Sequence, residues 1–276
     1  MPERPRIIVV DNGSSDGSAQ QVAQRFPQVR VISLPRNIGA AARNAGARAA
    51  GEEYVAFCDD DAWWAPGALA AGVATLRADE RIGVVSARIL VGPHKREDPV
   101  SSAMASIPLR TPDAPRGAVI GFMAGACLFR RRAFAEAGGY EPRLFIGGEE
   151  GLLALDLATR GWWMVYNEAL TVHHLPSALR DATARRRLLV RNALLVSWLR
   201  RHAASAWRET LAALLRAARD PAACAGCLDA LRQIRWIVRE RRAVPAHVEA
   251  AWRQVERALQ VAPANALRAR MPARAE

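Results

Sequence analysis

The segment RIIVVDNGSSDGS, residues 6 to 18, joins a short β-branched run to a cluster of turn-forming and helix-capping residues. Its first five residues have the composition of a buried β-strand. The Asp, Asn, Gly and Ser residues that follow favour a loop and then the start of a helix. We therefore expect a strand at 6–10, a loop that carries Asp11 and Asp16, and a helix over 18–26.

The same alternation continues towards the C-terminus. VRVISLP (29–35) and YVAFCDDD (54–61) predict further strands, and ARNAGARAA (42–50) predicts a helix between them. Strands that alternate with helices predict an α/β fold with a mostly parallel, Rossmann-like sheet. The other expected elements are a helix over 66–78, a strand over 83–90, a flexible loop over 91–117 that could serve an acceptor, a strand over 121–131, a loop and helix over 147–161, and strands over 162–167 and 170–175.

The composition changes near residue 180. The 276 residues carry a net charge of +12, and residues 181–276 hold 19 basic against 8 acidic side chains. In that segment Leu, Val and Trp recur at helical spacing among Arg and Ala, which predicts three or four helices up to about Val261. The sequence thus predicts two parts, an α/β domain at 1–180 and a basic helical extension at 181–276.

Several protein classes are disfavoured. Four cysteines in a chain of this length do not form a disulfide framework, and no signal-peptide pattern opens the sequence. The longest apolar region, 188–199, is interrupted by Arg191 and falls short of the roughly 20 residues that span a bilayer. We expect a cytoplasmic protein that does not cross the membrane. The CAGC segment at 224–227 has half of a zinc-site spacing, and we expect its cysteines to be packing thiols.

The basic extension has two interpretations. Its helices pack on the α/β domain or in a homodimer, which apolar residues on more than one face near 188–199 favour. Alternatively they make a peripheral contact with the inner face of an anionic membrane, with Leu194, Leu195, Trp198 and Leu199 buried in it. We expect no nucleic-acid partner, because the extension mixes Arg with Leu, Ala and Trp as amphipathic helices do.

Acidic residues cluster where predicted strands end. Asp11, Asp16 and the run Asp59, Asp60 and Asp61 all follow a strand. Ligands of open α/β sheets bind beyond the carboxyl ends of the strands. Adjacent carboxylates repel one another, so a divalent cation shared with substrate phosphates would stabilise them. A solvated acidic loop is the alternative interpretation.

Four segments together carry a family resemblance. They are VDNGSSDGS (10–18), RNIGAAARNAG (36–46), FCDDDAWW (57–64) and GGEEGLLALDLATRGW (147–162). In this order and at these spacings they resemble the motifs of family 2 glycosyltransferases, and the chain looks like a bacterial, rhamnosyltransferase-like member over about residues 6–175. The resemblance implies the GT-A fold and an inverting, metal-dependent transfer of a sugar from a nucleotide-sugar donor to an acceptor hydroxyl, in cell-surface polysaccharide, glycolipid or natural-product glycosylation.

The resemblance also implies roles for individual residues. It implies nucleotide contacts by Asp11, Asp16, Asn37, Gly39, Arg43, Asn44 and Asp60. It implies a divalent metal, Mn²⁺ or Mg²⁺, held by Asp59 and Asp61 of a DxD motif and by His173. A glycine at the start of a helix and a histidine at a strand end also have simple structural interpretations, which stay open for Gly39 and His173.

Glu149 and Glu150 match the family's Glu-Asp pair, whose second member resembles the general base for the acceptor hydroxyl. This sequence has Glu in the second position instead of Asp. Because Glu reaches further than Asp, either residue could serve, and we prefer Glu150 by alignment. At a helix N-terminus, both carboxylates are also favoured by the helix dipole.

The beginning of the chain departs from the family pattern. Members usually have a further strand and helix ahead of the segment equivalent to RIIVVDNGSSDGS, and this sequence begins almost on that segment. Loss of a central strand would leave an unpaired sheet edge. A truncated or inactive glycosyltransferase-like protein, acting as a binding or scaffolding subunit, is therefore the alternative expectation.

Overall fold

The computed structural model describes residues 4–109, 111–176 and 182–268 of the chain. Its N-terminal elements are strand β1 (Ile8–Asp11), helix α1 (Ser18–Arg25), strand β2 (Arg30–Ser33) and helix α2 (Ala42–Ala49). β1 and β2 are parallel, with Asp11 opposite Ser33, so both strands end at the same edge. The strand, loop and helix predicted at 6–26 are thereby confirmed.

The rest of the α/β part is built around a seven-stranded sheet. Its elements in chain order are β3 (Tyr54–Cys58), β4 (Ala62–Trp64), α3 (Ala68–Ala78), β5 (Ile82–Val91), β6 (Arg96–Glu97), α4 (Pro99–Ser106), β7 (Ala118–Val119), β8 (Ala126–Arg130), α5 (Arg131–Glu136), α6 (Glu149–Thr159) and β9 (Trp163–His174). The strands lie in the order β3, β8, β5, β9, β4, with β6 beside β5 and β7 beside β9. Among the described residues, no strand ladder joins this sheet to β1 and β2.

The α/β class is confirmed, but the strand directions differ from the expected mostly parallel sheet. β5 and β9 are parallel, whereas β8 lies between β3 and β5 and runs antiparallel to both. The α3 crossover makes β3 and β5 point the same way, as the alternation of elements predicts. Insertion of β8 separates these two strands and turns both of their contacts into antiparallel ones. The sheet is therefore mixed.

Two local expectations are also wrong. The described part of the segment 91–117, expected to be a loop, contains β6 and α4, and the carboxylate of Asp98 caps α4 by accepting a 2.8 Å hydrogen bond from the Val100 amide. The strands expected at 162–167 and 170–175 are one strand, β9, whose pairing with β5 is irregular after Asn167. The Asn167 side chain accepts a 3.0 Å hydrogen bond from the Ala169 amide and so bridges this irregularity.

Apolar side chains form a core on each face of the sheet. On one face, Phe57 of β3 lies edge-on to Phe129 of β8, with ring centroids 5.7 Å apart, and both rings contact Phe134 of α5. On the other face, Leu76 of α3 and Leu170 of β9 are fully buried. Burying a side chain of this size contributes about 1.5–3 kcal/mol. This packing holds β3 in the sheet, and Asp59 directly follows the strand.

Five helices make up residues 182–268, where the sequence predicted three or four. They are α7 (Ala182–Arg200), α8 (Ala203–Ala217), α9 (Pro221–Leu231), α10 (Ile234–Glu240) and α11 (Ala246–Arg268). Leu194, Leu195 and Leu199 of α7 are buried and belong to the same apolar cluster as Phe57. The extension therefore packs on the α/β part. The membrane contact expected of these three leucines is wrong, because protein already covers them.

A buried ion network joins the end of α7 to α11. The Arg201 guanidinium donates to Glu249 at 2.8 and 2.9 Å and to Glu256 at 2.6 Å, and the Ser205 hydroxyl donates to Glu249 at 2.6 Å. Burial acts to raise the pKa of Glu249, but the hydrogen bonds from Arg201 and Ser205 outweigh it and lower this pKa to about 2. Arg201 and Glu249 therefore both stay ionised, and their ion pair holds α7 and α11 together.

None of the described helices combines the length and hydropathy that crossing a bilayer requires. All four cysteines are free thiols; Cys227 is buried against the apolar core and Cys224 is exposed. The interpretation of CAGC as packing thiols therefore fits Cys227 and not Cys224.

Candidate active site

The carboxylate of Asp59 lies where β3 ends. It accepts a hydrogen bond from the guanidinium of Arg43, which projects from α2. Burial acts to lower the pKa of Arg43, but the negative charge of Asp59 outweighs it and the pKa is raised. The guanidinium also lies over the Tyr140 ring, 5.9 Å from its centroid. Two residues expected to serve the metal and the nucleotide separately thus form one ion pair.

A glycine leaves room for this carboxylate. A Cβ atom at Gly125, just before β8, would lie 2.5 Å from Asp59 Oδ2. Atoms cannot approach so closely without repulsion, so a larger residue at position 125 would displace the Asp59 side chain. Gly125 is therefore part of the site, although the sequence analysis assigned it only to a strand.

Asp61 faces a histidine of β9. Its Oδ1 atom lies 3.3 Å from His174 Nε2, whereas the preceding residue, His173, stacks on Trp63 with ring centroids 5.2 Å apart. Successive side chains of a strand point to opposite faces, so only one of the two histidines can face Asp61. Asp60, between the two other aspartates, is exposed.

Glu149 and Glu150 occupy the first turn of α6. Glu150 Oε1 accepts a hydrogen bond from the Ala124 amide at 2.5 Å. Burial raises the pKa of Glu150 to about 7, against the opposing effect of that hydrogen bond. Glu149 is also buried, burial raises its pKa, and its Oε2 atom has no hydrogen-bond partner within the described residues. A carboxyl group with the pKa of Glu150 can accept a proton near neutral pH.

Helix α7 holds the loop that leads to these two glutamates. The fully buried Asn192 donates its side-chain amide to the carbonyl oxygens of Leu144 at 2.7 Å, Ile146 at 3.0 Å and Gly147. The neighbouring Arg191 also donates to the Leu144 carbonyl, at 3.0 Å. The position of the glutamates therefore depends on the helical extension.

The same loop contacts the segment predicted to bind the nucleotide. The Ala40 amide donates to the Phe145 carbonyl at 2.7 Å, and a Cβ atom at Gly39 would lie 2.0 Å from that oxygen. Phe145 itself has a φ of +63°. This backbone conformation is energetically unfavourable for any residue other than glycine. This close approach requires glycine at position 39. It also places the turn at 39–41 against the glutamate loop, which is the segment 144–147 that leads to Glu149 and Glu150.

Asn12, which the sequence analysis did not single out, joins the loops that follow β1 and β2. Its side chain accepts a hydrogen bond from the Ile38 amide at 2.9 Å and donates to Asn37 Oδ1 at 3.0 Å and to the Gly39 carbonyl at 3.1 Å. The two loops therefore form one surface, which carries Asp11 and Asn37.

Two other predicted nucleotide contacts have local structural partners. Asp16 accepts hydrogen bonds from the amide and hydroxyl of Ser18 at 3.0 and 2.7 Å, which lower its pKa and order the start of α1. Asn44 donates to the Tyr140 carbonyl at 2.8 Å and accepts from the Tyr140 amide at 2.9 Å. These bonds give both residues a structural role beside any role towards a ligand.

The structure thus brings Arg43, Asp59, Glu149 and Glu150 into one electrostatic cluster, because the charges of the other three act on the pKa of Glu150. The residues missed from the sequence are Asn12, Gly125 and Asn192, whereas the family resemblance ranks His174 below His173 as a metal ligand. Asn12 stands inside the motif VDNGSSDGS and could have been found there. No local pattern indicates Asn192, which is 48 residues from Leu144.

The end of β3 offers ligands suited to a divalent cation. Asp59 and Asp61 supply carboxylate oxygens, and their side chains keep 39% and 26% of their surface exposed. Mg²⁺ and similar ions bind through one or two carboxylates together with substrate phosphates. Within the described residues, no three His, Cys, Asp or Glu side chains form a ready-made cage, so a cation here would also need oxygens from a bound diphosphate.

Sequence comparisons relate the chain to known proteins. Residues 1–138, half of the chain, match the family model described as "Glycosyl transferase family 2". The chain is also 28% identical, over 210 residues, to N-acetylglucosaminyl-diphospho-decaprenol L-rhamnosyltransferase of Mycobacterium tuberculosis, and this match covers 62% of the chain and 67% of the relative.

Solved structures show the same fold. GalNAc-T7 with UDP, GalNAc and Mn²⁺ superposes with a TM-score of 0.52 at 16% identity, over 70% of this chain and 41% of that one. The mannosyltransferase PcManGT of Pyrobaculum calidifontis with GDP-Man and Mn²⁺ superposes with a TM-score of 0.51 at 20% identity, over 96% and 69%. The chain thus spans less than half of the first structure. The GT-A fold expected from the motifs is confirmed.

Proposed function

The chain belongs to glycosyl transferase family 2, and we propose that it transfers a sugar, with inversion, from a nucleoside-diphosphate donor to an acceptor hydroxyl. The observation that carries this proposal is Glu150, a partly buried carboxyl group with a pKa of about 7 in the same cluster as the Asp59 and Arg43 ion pair. In such a cluster the carboxylate can accept a proton from a hydroxyl, and the guanidinium can stabilise the negative charge of a diphosphate.

Glu150 is the general base in this proposal. The Ala124 amide holds its Oε1 atom, which leaves Oε2 to accept the acceptor's proton as the hydroxyl oxygen attacks the anomeric carbon. The bond from that carbon to the diphosphate breaks on the opposite face, so the configuration inverts. Glu149, whose Oε2 atom is buried without a partner in the described residues, is the alternative base.

The loops that follow β1 and β2 would hold the nucleotide. We assign the base and ribose to the surface with Asp11 and Asn37, shaped by Asn12 and Gly39. Arg43 would turn from Asp59 towards the diphosphate, because it is the cation of the cluster. The other expected nucleotide contacts, Asp16, Asn44 and Asp60, stay in the proposal as supporting residues.

We assign the divalent metal, Mn²⁺ or Mg²⁺, to Asp59 and Asp61. His174 is a better candidate than His173 for a third ligand, since it already faces Asp61. A divalent ion at this position supplies positive charge that stabilises the departing nucleoside diphosphate.

The rhamnosyltransferase relative suggests which substrates to test first. Its name specifies an L-rhamnosyl group and an acceptor that carries a sugar on decaprenyl diphosphate. We propose a deoxyhexose donor and a lipid-linked glycan acceptor of the same chemical class. Such an acceptor lies in a membrane, which would fit a cytoplasmic enzyme in peripheral contact with the inner face.

Thermal unfolding with UDP, GDP or dTDP, with and without Mn²⁺, tests the proposal. One diphosphate should raise the melting temperature in a Mn²⁺-dependent way, and Asp59→Asn should abolish this shift. The exposed Asp113→Asn serves as the matched control and should keep it. Binding without turnover of any nucleotide sugar would instead support the binding or scaffolding subunit, and absence of binding to all three diphosphates would contradict both.

A further inference from the structure

Helix α8 exposes a row of large apolar side chains. Trp207, Leu211, Leu214 and Leu215 keep 62%, 61%, 55% and 62% of their surface exposed. Their spacing of four, seven and eight residues places them on one side of a helix. We call these four residues the α8 stripe. In a soluble protein a contiguous exposed apolar face of this kind indicates an interaction surface.

The stripe continues onto α7. Leu189, which is 44% exposed, lines a shallow groove together with Leu215. At the other end of the stripe, the Trp207 ring lies edge-on to that of Trp198, with centroids 5.1 Å apart. The apolar surface therefore extends over two helices.

Arginines border one end of this surface. Arg186, Arg216 and Arg219 line the groove that holds Leu189 and Leu215. Glu209 pairs with Arg216 at 2.7 Å, and Asp220 lies 3.7 Å from Arg186. The Arg219 side chain pairs with no acid in the described part of the chain. The three arginines thus outnumber the two nearby acids, and the groove keeps a net positive charge.

We propose that the α8 stripe docks on an anionic lipid bilayer. Leucine and tryptophan side chains can enter the region below the headgroups, while arginines reach the lipid phosphates with their long side chains. Each basic residue near an anionic membrane adds attraction that salt weakens. This attachment does not depend on the proposed sugar transfer.

Other occupants match the surface less well. A second copy of the chain, bound through the same face, would bring the arginine rims of both copies together, and like charges repel. A nucleic acid would satisfy the arginines but would leave three exposed leucines without a partner, since bases stack on aromatic rings rather than on aliphatic side chains.

Cosedimentation of the full chain with vesicles tests the proposal. Vesicles of phosphatidylcholine with 30% phosphatidylglycerol should pellet the protein at low salt, and pure phosphatidylcholine should pellet at least tenfold less. The double variant Leu211→Glu with Leu214→Glu should lose this binding at least tenfold. Phe26→Glu, which changes a residue of 49% exposure at the end of α1, is the matched control and should bind as the wild type does.

A fluorescence measurement on the folded protein removes any dependence on how variants fold. Brominated phosphatidylcholine, mixed into the anionic vesicles, should quench tryptophan emission on binding, and Trp207→Phe should remove most of this quenching while binding persists. Wild-type protein that stays in the supernatant with anionic vesicles at low salt would overturn the proposal. Two other results would also overturn the proposal if the protein does not bind vesicles. One is a concentration-dependent dimer that the Leu211 and Leu214 substitutions abolish, and the other is a complex with duplex DNA that they abolish.

Discussion

Asn192 Nδ2 lies 2.7 Å from the carbonyl oxygen of Leu144, so a helix of the extension holds the loop in front of Glu150. Asn192→Asp replaces this buried donor with an acceptor that faces carbonyl oxygens. Each unsatisfied buried group costs about 1–3 kcal/mol, and a displaced loop should lower kcat by about tenfold or more. Urea unfolding and steady-state kinetics measure the two effects.

The matched control is Asn167→Asp, since Asn167 donates to Thr75 at 3.0 Å in a less buried position. It should change stability and kcat much less. Wild-type kcat in Asn192→Asp would show that other contacts position the loop.

Glu150→Gln should lower kcat by about two to four orders of magnitude, the scale of losing a general base, with donor affinity little altered. The amide keeps the oxygen that accepts from Ala124, so the loop should stay in place. A base must be ionised, so wild-type kcat should rise as pH increases through about 7, the pKa of Glu150. The variant should lack this rise. If Glu149→Gln shows these effects and Glu150→Gln does not, the roles of the two residues are exchanged.

His174→Ala should weaken Mn²⁺-dependent stabilisation by a nucleoside diphosphate more than His173→Ala does. His174 faces Asp61 at 3.3 Å, whereas His173 stacks on Trp63. Loss of a group beside a metal ligand lowers metal affinity about 10- to 100-fold. Titrating Mn²⁺ at a saturating diphosphate concentration gives the two affinities, and equal values for both variants would remove the preference for His174.

Arg201→Met should destabilise the fold by about 3–5 kcal/mol, because it removes the buried cation of Glu249 and leaves only the more exposed Arg253, 3.0 Å away, beside this buried carboxylate. The pKa of Glu249 falls from the usual 4.5 to about 2 in the folded protein. The pair therefore stabilises the fold above about pH 4.5, and this contribution disappears as the pH falls towards 2.

Urea unfolding of both proteins at pH 7 and at pH 3 should show a smaller difference at the lower pH. Arg239→Met breaks an exposed pair with Glu240 and should cost less than about 1 kcal/mol. A similar cost for both variants would mean that burial of the Arg201 network contributes nothing.

Motif order singled out the members of the cluster, because they lie at strand and helix ends whose type can be read locally, and their roles stay predictions. Asp59 follows a β-rich run, Glu150 opens a helix after two glycines, and Arg43 lies on the helix between two strands. These distant residues meet through tertiary packing: Arg43 of α2 pairs with Asp59 at the end of β3, and the loop before Glu150 contacts the turn that precedes α2. Whether Asp11 and Asn37 contact a nucleotide stays a prediction.

Other features depend on information that no short segment contains. The choice between His173 and His174 depends on the register between β4 and β9, since a shift of one residue reverses the face of every side chain. The insertion of β8 between β3 and β5 is a property of the whole sheet. Asn192 lies outside the family motifs, and only the packing of α7 against the loop at 144–147 reveals it.

The apolar cluster that joins Leu195 and Leu199 to Phe57 has a consequence for protein engineering. The composition changes near residue 180. This position would therefore be a natural choice for a fusion point when catalytic domains are exchanged between transferases. A chimera joined there would have foreign helices packed against one of its two apolar clusters, and the hydrogen bonds from α7 to the loop before Glu149 would be lost at the same time. The modular unit for exchange is therefore the α/β part together with its own helices.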